Sequence, residues 1–443
     1  MGLVSKFGGS SLSSADQFEK VKNIVTSDPE RRIVIVSALG KRTPADNKLT
    51  DLFYSVYENT SQSSYYEALW QEIVARFVAV KKELRLTYPV EDELRKIADG
   101  LAARSLTVDY LVSRGEYLTA KLMSEYLDYD FYDARDLIIF ALDGTVDFEE
   151  SYARIAKLPK DRKMIIPGFY GADADGKIKL FSRGGSDITG AIIAAGTKAD
   201  KYENFTDVPG VLMADPRIVD NPLAISELTY EEMSSIAYMG AEVLHRKSVY
   251  PVKKAGIPIH IKNTNDPSAS GTLICHEKSE DAPCLTGFFG KKDYTFLTLY
   301  KNRVSTEIGL MRRVFEIFES YKINIEQSLT GIDQVGILVS SIDIKYCIEG
   351  VLADLKEKLG IEDVEIKEAF SLIAIFGRNV INEPEFLADV FDALGGAGIG
   401  TSLIEQSPRG LNLVLGVASE DYEQAICALY KKLVNRLDRR LMK

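Results

Sequence analysis

Val4-Ser5-Lys6-Phe7-Gly8-Gly9-Ser10-Ser11 has the pattern of a short strand that runs into a glycine-rich turn. A second glycine doublet follows much later in the chain, in Arg183-Gly184-Gly185-Ser186-Asp187. Glycine lets the backbone turn sharply and bring its N–H groups close to a ligand, and the N-terminus of a following helix adds partial positive charge. Because the first turn carries a lysine and the second carries an arginine and an aspartate, the two stretches predict a phosphotransferase site for polyphosphate and an acidic co-substrate.

Composition limits the classes of protein to consider. A chain of 443 residues is too long for one ordinary core, so we expect two or three domains. The net charge of −11 argues against nucleic acid as a partner. No apolar run is long enough to span a bilayer and no signal-peptide pattern is present, so we expect no membrane partner.

Cysteine and histidine give no sign of a disulfide framework or a metal site. The four cysteines lack CxxC spacing and are typical of reduced residues in a cytoplasmic protein. The three histidines lack the spacing of metal ligands, and we assign no protein metal site.

Residues 1–265 alternate between strand-like and helix-like segments. This pattern predicts an α/β fold with a mostly parallel central sheet and helices on both faces. Apolar residues at helical spacing predict a helical insertion over about residues 50–130. The polar run Gly40–Lys48 before it has the residues of a turn, and we expect it to move.

The last 150 residues or so contain an internal repeat, a sign of duplicated modules. Ile325-Glu326-Gln327-Ser328 recurs as Ile404-Glu405-Gln406-Ser407. Each copy lies in a segment of the order strand, helix, strand, strand, helix, which is that of a ferredoxin-like α+β module. Two such modules predict either a ligand sensor or a dimerisation platform.

Each glycine doublet has a functional and a structural interpretation. Lys6 would neutralise charge on a phosphoryl group in transfer, although a lone Gly-Gly is often only a tight turn. Arg183 offers a fork for a carboxylate, and Asp187 would hold Mg²⁺ or position other charges. Alternatively, Ser186 or Asp187 only caps the following helix.

Further polar residues follow predicted strands or lie in the insertion. Thr206 and Asp207 end a strand where α/β folds bind ligands, and Arg217 could reach phosphate; a surface turn with an Asp–Arg pair is the alternative. The polar groups of Ser37, Thr50 and Glu116 could bind an amino acid, or could be caps and solvated residues.

Six blocks in order resemble those of the aspartokinase family, in the amino-acid kinase superfamily. The blocks are Lys6-Phe7-Gly8-Gly9-Ser10-Ser11, Gly168-Phe169-Tyr170-Gly171, Arg183-Gly184-Gly185-Ser186-Asp187, Thr206-Asp207-Val208-Pro209-Gly210, Asp215-Pro216-Arg217 and Gly240-Ala241-Glu242-Val243-Leu244-His245. The repeats resemble ACT domains, which bind amino-acid effectors. The resemblance implies an amino-acid kinase domain over residues 1–283 and a regulatory region over 284–443. A first ACT domain of about 301–376 would be inserted into a second, formed by about 284–300 and 377–443.

The resemblance also implies an activity, namely phosphorylation of the L-aspartate side-chain carboxylate by ATP with Mg²⁺ held through its phosphates. This would be the first step from aspartate toward lysine, threonine and methionine. The catalytic residues would be Lys6 and Asp187. ATP would be bound by Lys6, Gly8, Gly9, Ser10, Thr206, Asp207 and Arg217, and aspartate by Ser37, Thr50, Glu116, Phe169, Arg183 and Ser186. A regulatory protein with an inactive kinase core and a kinase for glutamate are the alternatives.

The implied effector is L-lysine, with threonine as the alternative. The resemblance is to lysine-sensitive monofunctional enzymes, and it places the effector at Gly309, Leu310, Met311, Ile325 and Glu326. It also implies a homodimer or homotetramer formed through the ACT domains. Leu212 and Glu242 depart from the family pattern, which can have tyrosine and lysine there, and we assign neither to ATP.

Overall fold

The computed structural model describes residues 2–59, 63–182, 184–241, 244, 246–378, 384–407 and 410–441. These residues form two compact units. The first comprises Met1–Leu212 and Ala224–Ala282, and the second comprises Met213–Leu223 and Pro283–Lys443.

The first unit is built on an eight-stranded sheet of order β10-β12-β11-β9-β1-β2-β6-β3. Its strands are β1 (Leu3–Phe7), β2 (Arg31–Val36), β3 (Asp130–Phe131), β6 (Met164–Pro167), β9 (Lys201–Thr206), β10 (Glu227–Thr229), β11 (Ile259–Asn263) and β12 (Thr272–Cys275). All neighbouring strands pair in parallel except β11 with β12. A four-stranded sheet of order β5-β4-β7-β8 accompanies it, formed by β4 (Ile139–Phe140), β5 (Val146–Asp147), β7 (Tyr170–Asp173) and β8 (Ile178–Leu180).

Nine α-helices are described in this unit. They are α1 (Ala15–Thr26), α2 (Leu49–Glu58), α3 (Ser63–Glu83), α4 (Val90–Ala102), α5 (Val108–Leu127), α6 (Phe148–Ile155), α7 (Gly185–Thr197), α8 (Tyr230–Tyr238) and α9 (Arg246–Ala255). Ser14 caps α1, since its hydroxyl accepts the N–H of Gln17 at 3.4 Å. The Gln17 side chain does not complete a reciprocal capping box, because its amide donates to Asn265 and its Oε1 atom has no hydrogen-bond partner among the described residues.

The helices α2 to α5 occupy the stretch in which we expected a helical insertion. Their apolar faces share one core with the central sheet, which includes Phe7 and Val34 from the strands and Phe53, Phe77 and Leu118 from the helices. Burial of a large side chain contributes roughly 1.5–3 kcal/mol, so this common core fixes the insertion against the sheet.

The parallel sheet gathers the predicted site residues at one edge. Gly8, Ser37 and Asp207 are each the first residue beyond the carboxyl end of a central strand, namely β1, β2 and β9 in that order. Carboxyl ends of neighbouring parallel strands lie together, and α/β folds bind ligands there. The predicted α/β architecture is therefore confirmed, and it explains how residues distant in sequence come together.

The second unit contains a six-stranded sheet of order β14-β15-β13-β16-β18-β17. Its strands are β13 (Leu285–Tyr300), β14 (Ile325–Thr330), β15 (Gln334–Ser340), β16 (Asp363–Gly377), β17 (Leu403–Gln406) and β18 (Asn412–Ala418). Its helices are α10 (Leu310–Ser320), α11 (Ser341–Ile344), α12 (Ile348–Leu359), α13 (Pro384–Gly396) and α14 (Tyr422–Leu441).

The long strand β13 serves both copies of the repeat. We expected residues 284–300 to belong with the second copy alone. Residues 294–300 pair with β15, and Leu297 and Leu299 lie in the core of the first copy. Residues 285–291 pair with the end of β16, which in turn pairs with β18 of the second copy. The two copies thus share a continuous sheet because both β13 and β16 pass from one copy into the other.

None of the helices in the described part of the chain is both long and apolar enough to cross a membrane.

Candidate active site

Lys6 and Asp187 form an ion pair, with Lys6 Nζ 2.6 Å from Asp187 Oδ1. Asn204 joins both residues, because its Nδ2 donates to the same Asp187 oxygen at 2.9 Å and its Oδ1 accepts from Lys6 at 3.3 Å. The side chains of Lys6 and Asp187 are only 9% and 15% exposed, so solvent screens the pair weakly. The strand β1 supplies the lysine, β9 the asparagine, and the first turn of α7 the aspartate.

The turn after β1 is held by backbone contacts. The N–H of Gly8 donates to Phe205 O at 3.0 Å, and a short 3₁₀ helix, Ser10–Leu12, follows. Gly9 lies against Gly40, where a Cβ on Gly40 would be 2.1 Å from Gly9 O. No side chain fits at Gly40 without moving the turn. The turn is therefore closely packed, and a ligand's phosphates have room beside it.

A cavity of about 540 Å³ joins several of the predicted site residues. It is lined by Gly9, Ser10, Ser37, Ala38, Leu39, Gly40, Lys41, Arg42, Thr43, Pro44, Lys48, Leu49, Thr50, Glu116 and Asp207. The phosphate side predicted at Gly9 and Ser10 and the amino-acid side predicted at Ser37, Thr50 and Glu116 therefore open into one space.

Glu116 has a carboxyl group that lacks a full set of partners. The residue is 3% exposed, and its Oε2 atom has no hydrogen-bond partner among the described residues. Burial raises the pKa of Glu116 to about 8, an effect only partly opposed by backbone N–H groups, including that of Ala38, and by the charge of Arg114. A buried carboxylate without a partner is costly, so this group fits a ligand that brings a cation.

The segment around Phe169 is tightly packed against the start of α7. Phe169 has a φ of +76°, which is uncommon for a residue with a side chain, and its N–H donates to Thr189 Oγ1 at 3.1 Å. A Cβ on Gly168 would lie 2.7 Å from Ser186, and one on Gly185 would lie 2.5 Å from the Phe169 ring. The two glycines therefore bring Phe169 and Ser186 together. Such backbone strain is frequent at ligand sites.

The residues predicted to contact the nucleotide do not all belong to the same unit. Thr206 and Asp207 follow β9, and the Thr206 hydroxyl donates to Asp207 Oδ1 at 3.2 Å. Arg217 belongs to the second unit, in Met213–Leu223, where its guanidinium pairs with Asp215 at 2.6 Å. Arg183 and Glu242 lie outside the described residues. Leu212 makes an isolated β-bridge with Ala224.

No cluster of three or more acidic, histidine or cysteine side chains suited to a metal ion is present among the described residues. The amides of the Gly8–Ser10 turn and the Lys6 ammonium are donors, which suit phosphate oxygens rather than a metal ion.

A cavity of about 550 Å³ in the second unit contains part of the predicted effector site. Ile325 and Glu326 line it together with Glu319, Asn324 and Glu405, among others. The Glu405 Oε2 atom is buried and has no hydrogen-bond partner among the described residues.

The other three predicted effector residues do not line this cavity. Gly309 precedes α10 with a φ of +78°, Leu310 is buried in the core of the first copy, and Met311 packs against that core.

Two residues of these sites were missed from the sequence. Asn204 carried no signal, because its role depends on the adjacency of β1 and β9. Glu405 did carry one, since it occupies the position of Glu326 in the repeated Ile-Glu-Gln-Ser.

Comparisons with known proteins agree with this arrangement. A model of the amino acid kinase family matches residues 1–263, and a model of the ACT domain matches residues 373–433. Aspartokinase 3 of Bacillus subtilis is 34% identical, over 97% of this chain and 98% of that protein. The crystal structure of Clostridium acetobutylicum aspartate kinase is 36% identical and has a TM-score of 0.88, with 98% of this chain and 99% of that chain covered.

Two crystal structures of Escherichia coli aspartokinase III, each 26% identical to this chain, are also similar. The complex with aspartate and ADP has a TM-score of 0.79 and covers 98% of this chain and 100% of that one. The complex with lysine and aspartate has a TM-score of 0.75 and covers 97% and 99%. From the matched kinase and ACT regions and the full-length similarity, we conclude that the chain belongs to the aspartokinase family.

Proposed function

We propose that this protein is an aspartate kinase, which transfers the terminal phosphoryl group of ATP to the side-chain carboxylate of L-aspartate and yields ADP and 4-phospho-L-aspartate. The observation that carries the proposal is the single cavity that connects the Gly9–Ser10 turn with the Glu116 carboxyl group, whose Oε2 atom has no hydrogen-bond partner among the described residues. One end suits phosphate and the other suits an ammonium group. A phosphoryl donor and an amino acid can therefore meet in it.

The chemistry requires positioning and charge stabilisation more than acid–base catalysis. The acceptor carboxylate is ionised near neutral pH, since an aspartate side chain has a pKa of about 3.9, so no base is needed. One of its oxygens forms the new bond to phosphorus, and the bond from phosphorus to the bridging oxygen of ADP breaks, with its electron pair left on ADP. Lys6 acts here by stabilising the negative charge of the transferring group.

Family membership supports the proposed binding roles, as do the positions of those side chains that the structure describes. Glu116 binds the aspartate ammonium group and Arg183 its α-carboxylate. Ser37, Thr50, Phe169 and Ser186 complete the aspartate site. Gly8, Gly9, Ser10, Thr206 and Asp207 bind the nucleotide. A Mg²⁺ ion would be held through the ATP phosphates, where it would neutralise part of their charge.

The substrate assignment is tested by ADP release measured with aspartate, with glutamate and without an acceptor. Glutamate has the same groups as aspartate and one more methylene. A comparison of the two acceptors therefore tests whether the site selects for side-chain length. We expect ADP release to depend on aspartate and to be much slower with glutamate. Equal rates with both acceptors, or a rate independent of either, would reject the assignment.

We also propose that L-lysine inhibits the enzyme through the second unit. Support comes from the carboxylates of Glu319, Glu326 and Glu405, which line one cavity of about 550 Å³. Their combined negative charge favours an effector with a cationic side chain, and this distinguishes lysine from threonine. The similarity to a relative solved with lysine and aspartate agrees with this choice.

Assembly and location are the remaining parts of the proposal. Ile308, Ile332, Ile342 and Tyr346 of the first repeat copy are each at least 73% exposed, which supports a homodimer or homotetramer formed through the ACT region. Sedimentation at several protein concentrations tests this, and a monomer throughout would reject it.

The proposal also places the enzyme in the cytoplasm, at the start of lysine, threonine and methionine synthesis. The four free cysteines support this location.

A further inference from the structure

We propose that the loop Gly40–Lys48 is a cationic wall of the active site, in which Lys48 and Arg42 bind the negative charges of the reacting phosphoryl and carboxylate groups. In the same proposal, Asp46 and Arg76 are positioning residues that hold this loop. The inference rests on the proposed aspartate kinase function, because it concerns the encounter of that enzyme's two anionic substrates.

The loop is joined to the site at both ends. Gly40 packs on Gly9 of the phosphate turn, where there is no room for a Cβ. The loop ends at Lys48, directly before α2, and the first two residues of that helix, Leu49 and Thr50, line the cavity. The loop therefore spans the space from the phosphate side to the amino-acid side.

The start of α2 is a favourable place for an anion. Lys48 is the N-cap residue of this ten-residue helix, and no side chain caps the helix there. A lysine side chain at this position cannot accept hydrogen bonds from the free N–H groups of the first helical turn. Its positive charge is also unfavourable beside the positive end of the helix dipole. Local rules of this kind are broken mainly at functional sites. The buried Oε2 atom of Glu116, which lines the same cavity and has no hydrogen-bond partner among the described residues, independently indicates that a ligand binds here.

The charges of the cavity and of its two anionic substrates explain why cations besides Lys6 are needed in the site. Lys6 shares its charge with Asp187, 2.6 Å away, as Arg42 does with Asp46, whereas Lys48 has no carboxylate partner among the described residues. Among the described residues that line the cavity, the cations are Lys41, Arg42 and Lys48, and all three belong to the loop. An ionised carboxylate must approach a polyphosphate here, and two anions repel each other unless nearby cations offset their charge.

The side chains of Lys48 and Arg42 differ in how the surrounding residues hold them. Lys48 lines the cavity, and its ammonium group has no hydrogen bond or ion pair among the described residues. Arg42 is fixed by Asp46, which accepts from its Nε at 2.8 Å, from its Nη2 at 3.0 Å and from its backbone N–H at 2.8 Å. The Lys41 ammonium instead donates to Pro44 O at 2.9 Å, so it stabilises the turn itself.

Arg76 of α3 fastens the loop to the helical insertion. It is 3% exposed, and its Nη1 donates to Asn47 O at 2.9 Å. Its Nη2 binds Glu72 at 2.8 Å and lies 3.6 Å from Asp46. The two arginines keep the pKa of Asp46 far below its usual value, so this carboxylate stays ionised and holds Arg42 over the working pH range.

The direct test is Lys48→Gln, compared with Lys48→Arg, which keeps the charge, and with Arg95→Gln, a control on α4 whose exposed side chain pairs with Asp92. We expect Lys48→Gln to lower kcat by about tenfold or more, Lys48→Arg to restore most of it, and Arg95→Gln to leave it unchanged. ADP alone should bind to all variants within about twofold of the wild type, because it lacks the transferred group. A smaller loss in Lys48→Gln, or an equal loss of ADP affinity, would overturn the role of Lys48.

The positioning role is tested with Asp46→Asn and Arg76→Gln, and thermal unfolding shows whether each variant is folded. We expect folded Asp46→Asn to lose affinity for a non-hydrolysable ATP analogue in the presence of aspartate, while its affinity for ADP is kept. Unchanged analogue affinity in Asp46→Asn would reject the role, whether or not Arg76→Gln folds. If the wild type shows no aspartate-dependent ADP release, the proposed function fails instead, so the two failures are distinguishable.

Discussion

The Lys6 ammonium and the Asp187 carboxylate are in contact at 2.6 Å, although 181 positions separate the two residues in the chain. Asn204 binds both of them and so fixes the geometry of the pair. A lysine held in this way cannot reorganise freely when charge develops nearby. Preorganised charges of this kind stabilise a transition state without a cost at the moment of reaction.

Lys6→Gln removes this charge and keeps a polar side chain that is one atom shorter. We expect kcat to fall by roughly 10²–10³-fold, the usual effect of losing one preorganised donor to a developing charge. The KM for aspartate should change little, because Lys6 acts on the phosphoryl group. Steady-state kinetics measure both constants, with Lys82→Gln as the exposed control on α3. Unchanged turnover would refute the role of Lys6.

Aspartate binding should release a proton near pH 7. With a pKa of about 8, Glu116 is mostly protonated in the free enzyme at that pH. An ammonium group beside it favours the ionised form and lowers the pKa, so binding expels the proton. Calorimetric titrations in buffers of different ionisation enthalpy measure the number of protons released. The release should disappear in Glu116→Gln and well above pH 8, and proton uptake at pH 7 would contradict the assignment.

Gly40→Ala should disturb the phosphate turn. The added Cβ would lie 2.1 Å from Gly9 O, a distance that no rotamer change relieves because both partners are backbone. We expect weaker ATP binding and a loss of roughly 1–3 kcal/mol in the free energy of unfolding. Gly395→Ala is a matched control in α13, where nothing lies within 4 Å of the new Cβ. Equal effects of both changes on ATP affinity would contradict the close-packed turn.

Glu405→Gln should weaken inhibition by lysine while leaving the uninhibited rate unchanged. The change removes one of the carboxylates around the cavity in the second unit, and we expect the lysine concentration for half inhibition to rise by about tenfold. Inhibition curves with lysine and threonine measure this effect, and Glu357→Gln on α12 is an exposed control. If the curve for Glu405→Gln matches that of the wild type, the cavity is not the lysine site.

The sequence predicted the elements whose signals are local. The α/β alternation over residues 1–265 and the helical insertion over about residues 50–130 follow from hydrophobic periodicity, and both are confirmed. The expectation that Lys6 and Asp187 belong to one site came from the two glycine-rich turns and from the resemblance to the aspartokinase family, and the ion pair between them agrees with it.

Features that depend on long-range contacts could not be predicted in this way. The role of Asn204 requires the pairing of β1 with β9, and the anchoring of the Gly40–Lys48 loop requires Arg76 from a distant helix. We expected that loop to move because it is polar and rich in turn residues. Periodicity also could not show that β13 is shared, because a strand carries the same pattern whichever module it joins.

The central claim is that the side-chain carboxylate of aspartate receives the phosphoryl group. Hydroxylamine traps an acyl phosphate as a hydroxamate, which mass spectrometry identifies, while ADP is measured in the same sample. The account predicts the aspartate β-hydroxamate in an amount that matches ADP, and no such product from Lys6→Gln. ADP formed by the wild type without any hydroxamate would mean that water accepts the phosphoryl group, and would contradict the account.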